Sequence, residues 1–206
     1  MSHRLQGLYA ITDEVLTPDE TVVEQVQSAL KAGADIVQYR NKTAHDDEIE
    51  MVCRELLDLC QKHDVPFIID DRPHLAQKIK ADGLHIGKDD GPLSEAREVF
   101  PQGIIGVSCY GSIRKAKEAQ EEGADYVAFG SFFPSPTKPK SGVISMNVIK
   151  KAKEALDIPV CTIGGINRDN IHEIAAFKPD MISVVNDIFK GDIQENITHL
   201  KQGMNK

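Results

Sequence analysis

Short apolar runs alternate along this chain with segments of helical spacing, and that alternation limits the fold more than any other feature. The runs cover residues 7–12, 35–40, 66–69, 83–87, 104–109, 126–131, 159–163 and 181–185. Between and after them lie helical segments at 21–32, 46–63, 74–79, 92–100, 112–122, 146–156, 170–177 and 193–202. In the longest of these, Ile49, Val52, Leu56, Leu57 and Cys60 follow the helical period. The runs are apolar throughout rather than alternating, which suits a parallel sheet covered by helices. Eight such units in 206 residues predict an α/β fold, a compact (β/α)8 TIM barrel forming a single domain over 1–206. A doubly wound open sheet is the alternative. The pieces Lys31-Ala32-Gly33-Ala34-Asp35 and Glu121-Glu122-Gly123-Ala124-Asp125 repeat one helix-to-strand turn and carry no chemical signal of their own.

Charge narrows the partners. A net charge of -8 argues against nucleic acid and against a membrane surface. It still allows an anionic substrate, because Lys and Arg can cluster locally. No apolar run reaches the length of a membrane span, and Met1 is not followed by a signal-peptide core, so a cytoplasmic location is expected. Cys53, Cys60, Cys109 and Cys161 form no CxxC pair and read as reduced thiols packed as small hydrophobes.

A barrel places its chemistry at the C-terminal ends of its strands. Strand 2 delivers Gln38, Arg40 and Lys42 there, and strand 3 delivers Asp70, Asp71 and Arg72. Strand 4 brings His85, then Lys88, Asp89 and Asp90, and strand 5 brings Ser108. After strand 6 the loop Ser135-Pro136-Thr137-Lys138 has no packing reason for its composition. Arg40, Lys42 and Lys138 would form a cationic arc, with Asp71 and Asp90 as hard oxygen ligands. Cations and carboxylates around one mouth suggest a Mg²⁺–polyphosphate site. Gly164-Gly165 after strand 7, with Val185-Asn186 after strand 8, fits the place where many barrels bind a second phosphate. Two phosphorylated substrates meeting in one mouth are therefore expected. His85, inside an apolar run, reads as a hydrogen-bonded residue filling the barrel.

These pieces, in this order and spacing, resemble the thiamine phosphate synthase family over nearly the whole chain. They are Leu8-Tyr9-Ala10-Ile11-Thr12-Asp13, Gln38-Tyr39-Arg40-Asn41-Lys42, Ile68-Ile69-Asp70-Asp71, Gly83-Leu84-His85-Ile86-Gly87-Lys88-Asp89-Asp90, Gly106-Val107-Ser108, the Pro-Ser-Pro-Thr-Lys loop, and Ile163-Gly164-Gly165-Ile166. The resemblance implies a TIM-barrel transferase that joins a hydroxymethylpyrimidine diphosphate to a thiazole phosphate with Mg²⁺, giving thiamine phosphate and pyrophosphate. It implies that Gln38, Tyr39, Arg40, Asn41, Lys42, Asp70 and Ser108 lie around the pyrimidine diphosphate, with Lys138 on the diphosphate. Arg40, Lys42, Ser108 and Lys138 would carry catalysis, and Asp71 and Asp90 would hold the metal. Ser135, Pro136, Thr137, Gly165, Val185 and Asn186 would take the thiazole phosphate. The implied mechanism is dissociative: pyrophosphate leaves, the ring amino group stabilises the cation, and the thiazole nitrogen attacks.

Two positions depart from the family pattern. Asp70 stands where Asn is usual, and its added carboxylate repels a diphosphate unless Mg²⁺ or Arg72 compensates. Asn186 stands where Ser is usual. A related thiazole tautomerase and a non-catalytic thiamine-precursor-binding protein are the rival readings. The tautomerase carries a histidine after the glycine that ends strand 6, where this chain has Ser131. Whether the chain forms a homo-oligomer is left open.

Overall fold

The computed structural model describes residues 5–87, 90–134 and 142–205. Eight parallel strands close into a barrel in sequence order, so the expected (β/α)8 architecture is the observed one. The strands are β1 (Gly7–Ile11), β2 (Ile36–Tyr39), β3 (Phe67–Asp70), β4 (Gly83–Ile86), β5 (Ile104–Tyr110), β6 (Tyr126–Phe129), β7 (Val160–Thr162) and β8 (Met181–Val184). The outer helices are α1 (Val22–Lys31), α2 (Asp46–Lys62), α3 (Pro73–Ile79), α4 (Leu93–Val99), α5 (Ile113–Glu121), α6 (Asn147–Ala155) and α7 (Ile171–Ala175). A one-turn α8 (Asn186–Phe189) precedes the closing helix α9 (Ile193–Met204). No described helix is long and apolar enough to cross a membrane.

Side-chain parity divides the core in two. Leu8, Ala10, Val37, Tyr39, Phe67, Ile69, Leu84 and Ile105 point outward and pack under the helices. Tyr9, Ile36, Ile68, Tyr126, Ala128, Cys161 and Met181 fill the barrel itself. This is the period-two alternation of a strand wrapped into a closed sheet. All four cysteines are free and buried.

The N-terminal face of the barrel is closed by a repeated device. Asp35 Oδ2 accepts from Leu8 N at 2.8 Å, and Asp82 Oδ2 from Phe67 N at 2.9 Å. Asp125 Oδ2 accepts from Ile105 N and Asp180 Oδ2 from Val160 N, both at 2.7 Å. An aspartate just before an even strand thus satisfies the first donors of the preceding odd strand. In three cases the aspartate N–H also donates back to the carbonyl of the same residue, at Leu8, Ile105 and Val160. Lys201, Arg97 and Lys153 pair with Asp35, Asp125 and Asp180. A strand end left unpaired inside a barrel would cost the desolvation of its N–H, and these carboxylates remove that cost.

Candidate active site

The opposite face opens into a cavity of about 480 Å³, within the range of small-molecule sites. Its walls combine residues from every strand. Parity decides which ones: Gln38, Arg40 and Lys42, two apart along the chain, line the cavity. The intervening Tyr39 and Asn41 do not. Tyr39 is buried under the helices and donates its hydroxyl proton to Asp19 at 2.7 Å. Asn41 Oδ1 accepts from Thr43 N at 3.1 Å and Ala44 N at 3.0 Å, building the turn into α2. These two residues, expected near the pyrimidine diphosphate, make their hydrogen bonds to the frame and do not line the cavity. Taking every second residue from Gln38 separates them from the cavity set.

Arg40 and Lys42 stand among three carboxylates, those of Glu14, Asp70 and Asp71. Arg40 Nη1 donates to Glu14 Oε2 at 3.1 Å, and Nε lies 3.6 Å from Asp70 Oδ2. Lys42 Nζ lies 3.4 Å from Asp70 Oδ2 and is in contact with Asp71 Oδ2. The Lys42 N–H donates to Glu14 Oε1 at 2.5 Å, and Thr12 Oγ1 accepts from Arg40 N at 2.9 Å. Burial pushes the Glu14 carboxyl upward, but the hydrogen bonds and the Arg40 charge outweigh it and hold the group below its ordinary value. Glu14 is absent from the residues expected from sequence. Its signal is the acidic pair Asp13-Glu14 directly after the end of the first apolar run.

The charge of Asp70 is therefore compensated, but not by Arg72. Arg72 turns away to Asp46 and to the carbonyls of Asn41 and Ala44, at 2.5, 2.7 and 2.6 Å. Arg40 and Lys42 take its place beside Asp70.

Asp71 sits just past β3 in the left-handed region, at φ 59°. Its N–H donates to the His85 carbonyl at 2.8 Å. Such a backbone is uncommon for a non-glycine residue and here turns the carboxylate into the cavity. Asp71 Oδ2 is buried, accepts no hydrogen bond, and is pressed against the Lys42 ammonium. Asp90, past the end of the neighbouring β4, is half-buried, its Oδ2 accepting from Gly87 N at 2.7 Å.

The far wall is built from the ends of β6, β7 and β8. Gly164 and Gly165 have φ 106° and 66°, which only glycine adopts without strain. A Cβ on Gly165 would collide with the Pro134 carbonyl, and one on Gly164 with Ser131. Phe133 N donates to the Gly164 carbonyl at 3.0 Å. The glycine pair thus also lets the loop after β6 lie against the loop after β7. Val185, Asn186 and Lys190 line the same wall, and Lys190 is an exposed cation outside the set expected from sequence. Ser135, Pro136, Thr137 and Lys138 lie outside the described residues, as do Lys88 and Asp89.

The floor is polar. His85 fills the barrel as expected, with Nδ1 2.9 Å from the Tyr126 hydroxyl and Nε2 2.9 Å from Ser108 Oγ. Cys161 Sγ lies 2.9 Å from Ser183 Oγ, and burial pushes that thiol up to about 12.

Comparison with known proteins gives the family of this fold. A family model described as thiamine monophosphate synthase covers residues 8–188. The thiamine-phosphate synthase of Wolinella succinogenes is 45% identical over 194 residues, which is 93% of this chain and 89% of that protein. That of Thioalkalivibrio sulfidiphilus is 42% identical over 187 residues, 90% of this chain and 89% of that protein. The solved structure of thiamine phosphate pyrophosphorylase from Pyrococcus furiosus superposes with a TM-score of 0.89 at 36% identity, covering 98% of this chain and 96% of that one. With the family model spanning most of the barrel and both relatives aligned over nine-tenths of the chain, this protein belongs to the thiamine monophosphate synthase family.

Proposed function

We propose that this protein joins a hydroxymethylpyrimidine diphosphate to a thiazole phosphate, forming thiamine phosphate and releasing pyrophosphate. The observation that carries the reading is the division of one cavity into two walls. One wall holds Arg40 and Lys42 among Asp70, Asp71 and Asp90, and the other holds Gly164, Gly165, Asn186 and Lys190. The first suits a diphosphate leaving group and the second a single phosphate. Arg40 and Lys42 act by drawing the leaving oxygens, and their hold on Glu14 and Asp70 exchanges for the diphosphate as it binds. The floor orients the pyrimidine ring so that the thiazole nitrogen meets its methylene carbon. Lys138, with Ser135, Pro136 and Thr137, completes the reading as the bridge between the two phosphates.

The residues present also fit Mg²⁺. Asp71 Oδ2 is a buried anionic oxygen without a hydrogen bond, and the lysine ammonium against it occupies a cation's place. Asp71 and Asp90 would hold the ion, since Mg²⁺ takes one or two carboxylates and leaves the rest of its shell to phosphate oxygens and water. Bound there, Mg²⁺ would neutralise charge developing on the leaving group.

The test is the paired-substrate reaction with and without Mg²⁺, monitored by pyrophosphate release. Release that needs both substrates and the metal is expected. No release from either the unaltered protein or Asp70→Asn would overturn the reading.

A further inference from the structure

A line of hydrogen bonds crosses the inside of the barrel beneath the cavity. Gln38 Nε2 donates to the Tyr9 hydroxyl at 2.7 Å. Tyr9 and Tyr126 hydroxyls lie 3.0 Å apart, Tyr126 continues to His85 Nδ1, and His85 Nε2 continues to Ser108 Oγ, the last two at 2.9 Å. The five residues come from β2, β1, β6, β4 and β5, so only barrel closure assembles them. Both tyrosines are almost wholly buried, at 1% and 0% exposure. Their rings pack edge to face at 6.2 Å, and the His85 ring stacks on Tyr126 at 5.5 Å. Gly106 makes room for this: a Cβ there would enter the Tyr126 ring. Burial drives both phenols well above their ordinary value, so each keeps its single proton.

We propose that this line runs in one direction, and that Tyr9 and Tyr126 are positioning residues that hold His85 as the Nε2–H tautomer and so present the Ser108 hydroxyl to the substrate as a donor. The argument is proton counting. An amide nitrogen can only donate, so the Tyr9 oxygen accepts from Gln38. If Tyr9 then donates to Tyr126, the Tyr126 proton goes to His85 Nδ1. A neutral imidazole accepting at Nδ1 carries its proton on Nε2 and gives it to Ser108 Oγ. Every proton in this direction has an acceptor. In the other direction Tyr126 donates to Tyr9, the Tyr9 oxygen receives two donors, and its own buried proton is left over, which buried hydroxyls avoid. The consequence falls at the cavity end. Ser108, already an acceptor from His85, directs its own proton at what lies above it.

This inference rests on the proposed synthase reading for its substrate. A ring nitrogen of an aminopyrimidine accepts a hydrogen bond, whereas the corresponding ring position of an oxo analogue carries an N–H. The Ser108 proton therefore favours the amino ring, which offers it an acceptor, over the oxo ring, which leaves that proton without one.

The first test needs no substrate. In the full-length protein labelled with ¹⁵N-histidine, the His85 signals, assigned by their loss in His85→Gln, should show a protonated Nε2 and an unprotonated Nδ1. A protonated Nδ1 with a bare Nε2 would overturn the proposal. Tyr126→Phe removes the donor to Nδ1 and should produce a mixture of tautomers. It should also narrow the preference for the aminopyrimidine diphosphate over its oxo analogue by about tenfold, the scale of one hydrogen bond. Should that variant fail to fold, Tyr9→Phe, one bond further away, should shift the tautomer and the preference the same way. An unchanged tautomer and preference in the folded variant would reduce the line to packing and overturn the proposal. Absent turnover in the unaltered protein would instead count against the synthase reading, and the tautomer would still decide the direction of the line.

Discussion

The two faces of this barrel use the same residue for opposite ends. On the N-terminal face, Asp35, Asp82, Asp125 and Asp180 each accept from the first N–H donors of a neighbouring strand. Asp35, Asp125 and Asp180 also meet a lysine or arginine. Their hydrogen-bonding capacity is spent on strand N–H groups and on these framework cations. On the C-terminal face, Asp70 and Asp71 meet side-chain cations, and Asp71 is carried by a left-handed backbone with one oxygen lacking a hydrogen bond. One set stabilises the closed sheet, and the other holds charge ready for exchange with a ligand. An aspartate in a barrel is therefore read by what its oxygens accept from, not by its presence.

That contrast can be broken at either face. The largest effect is expected at Asp71. Asp71→Asn keeps a residue that tolerates the left-handed backbone but removes the charge, so turnover should fall roughly a hundredfold or more while the melting temperature stays nearly constant. A parallel loss of melting temperature would place Asp71 with the structural set. The mirror experiment is Asp180→Ala, which strands the Val160 N–H and Lys153. It should cost about 2 kcal/mol in denaturant unfolding, with kcat of the folded protein unchanged. A lowered kcat at equal folded fraction would show that the two faces are not independent.

A smaller effect is expected at Asp70, whose charge competes with a diphosphate for Arg40 and Lys42. Asp70→Asn should lower KM for the diphosphate substrate by roughly two- to fivefold, the size of one partly exposed ion pair. A raised KM would show instead that Asp70 positions the cations. The smallest effect concerns Glu14. Its folded carboxyl titrates below its ordinary value of 4.5, so its stabilisation is complete above that pH and disappears as pH falls through the folded value. The stability difference between the unaltered protein and Glu14→Gln should be a few tenths of a kcal/mol at pH 6 and shrink as the pH falls below 4.5. A difference that does not change with pH would mean that packing, not charge, is the source.

Much of this architecture is legible in the residues alone. The apolar runs and helical spacings mark every strand and its order, because a parallel barrel buries both faces of each strand and writes that into the composition. The cavity-lining Gln38, Arg40, Lys42, Asp70, Asp71, Asp90 and Ser108 are found by taking the polar residues at the end of each run. Tyr39 and Asn41 enter that set only if a motif is read as a block, whereas a strand sends alternate residues to opposite sides. The repeated Gly-Ala-Asp turn is visible too, but not its purpose. That purpose depends on which strand lies beside Asp35 and Asp125, and their partners Leu8 and Ile105 are 27 and 20 residues away.

Local hydrophobic period and turn chemistry were enough to set the eight strand–helix units and the residue types delivered to the mouth, though not the one-turn α8. The tertiary structure alone decided the partners. Glu14 reaches Arg40, Arg72 swings to Asp46, and Gln38, Tyr9, Tyr126, His85 and Ser108 join across the barrel. These contacts join residues up to 117 positions apart, and they exist only because closure and register bring distant strands within hydrogen-bond reach.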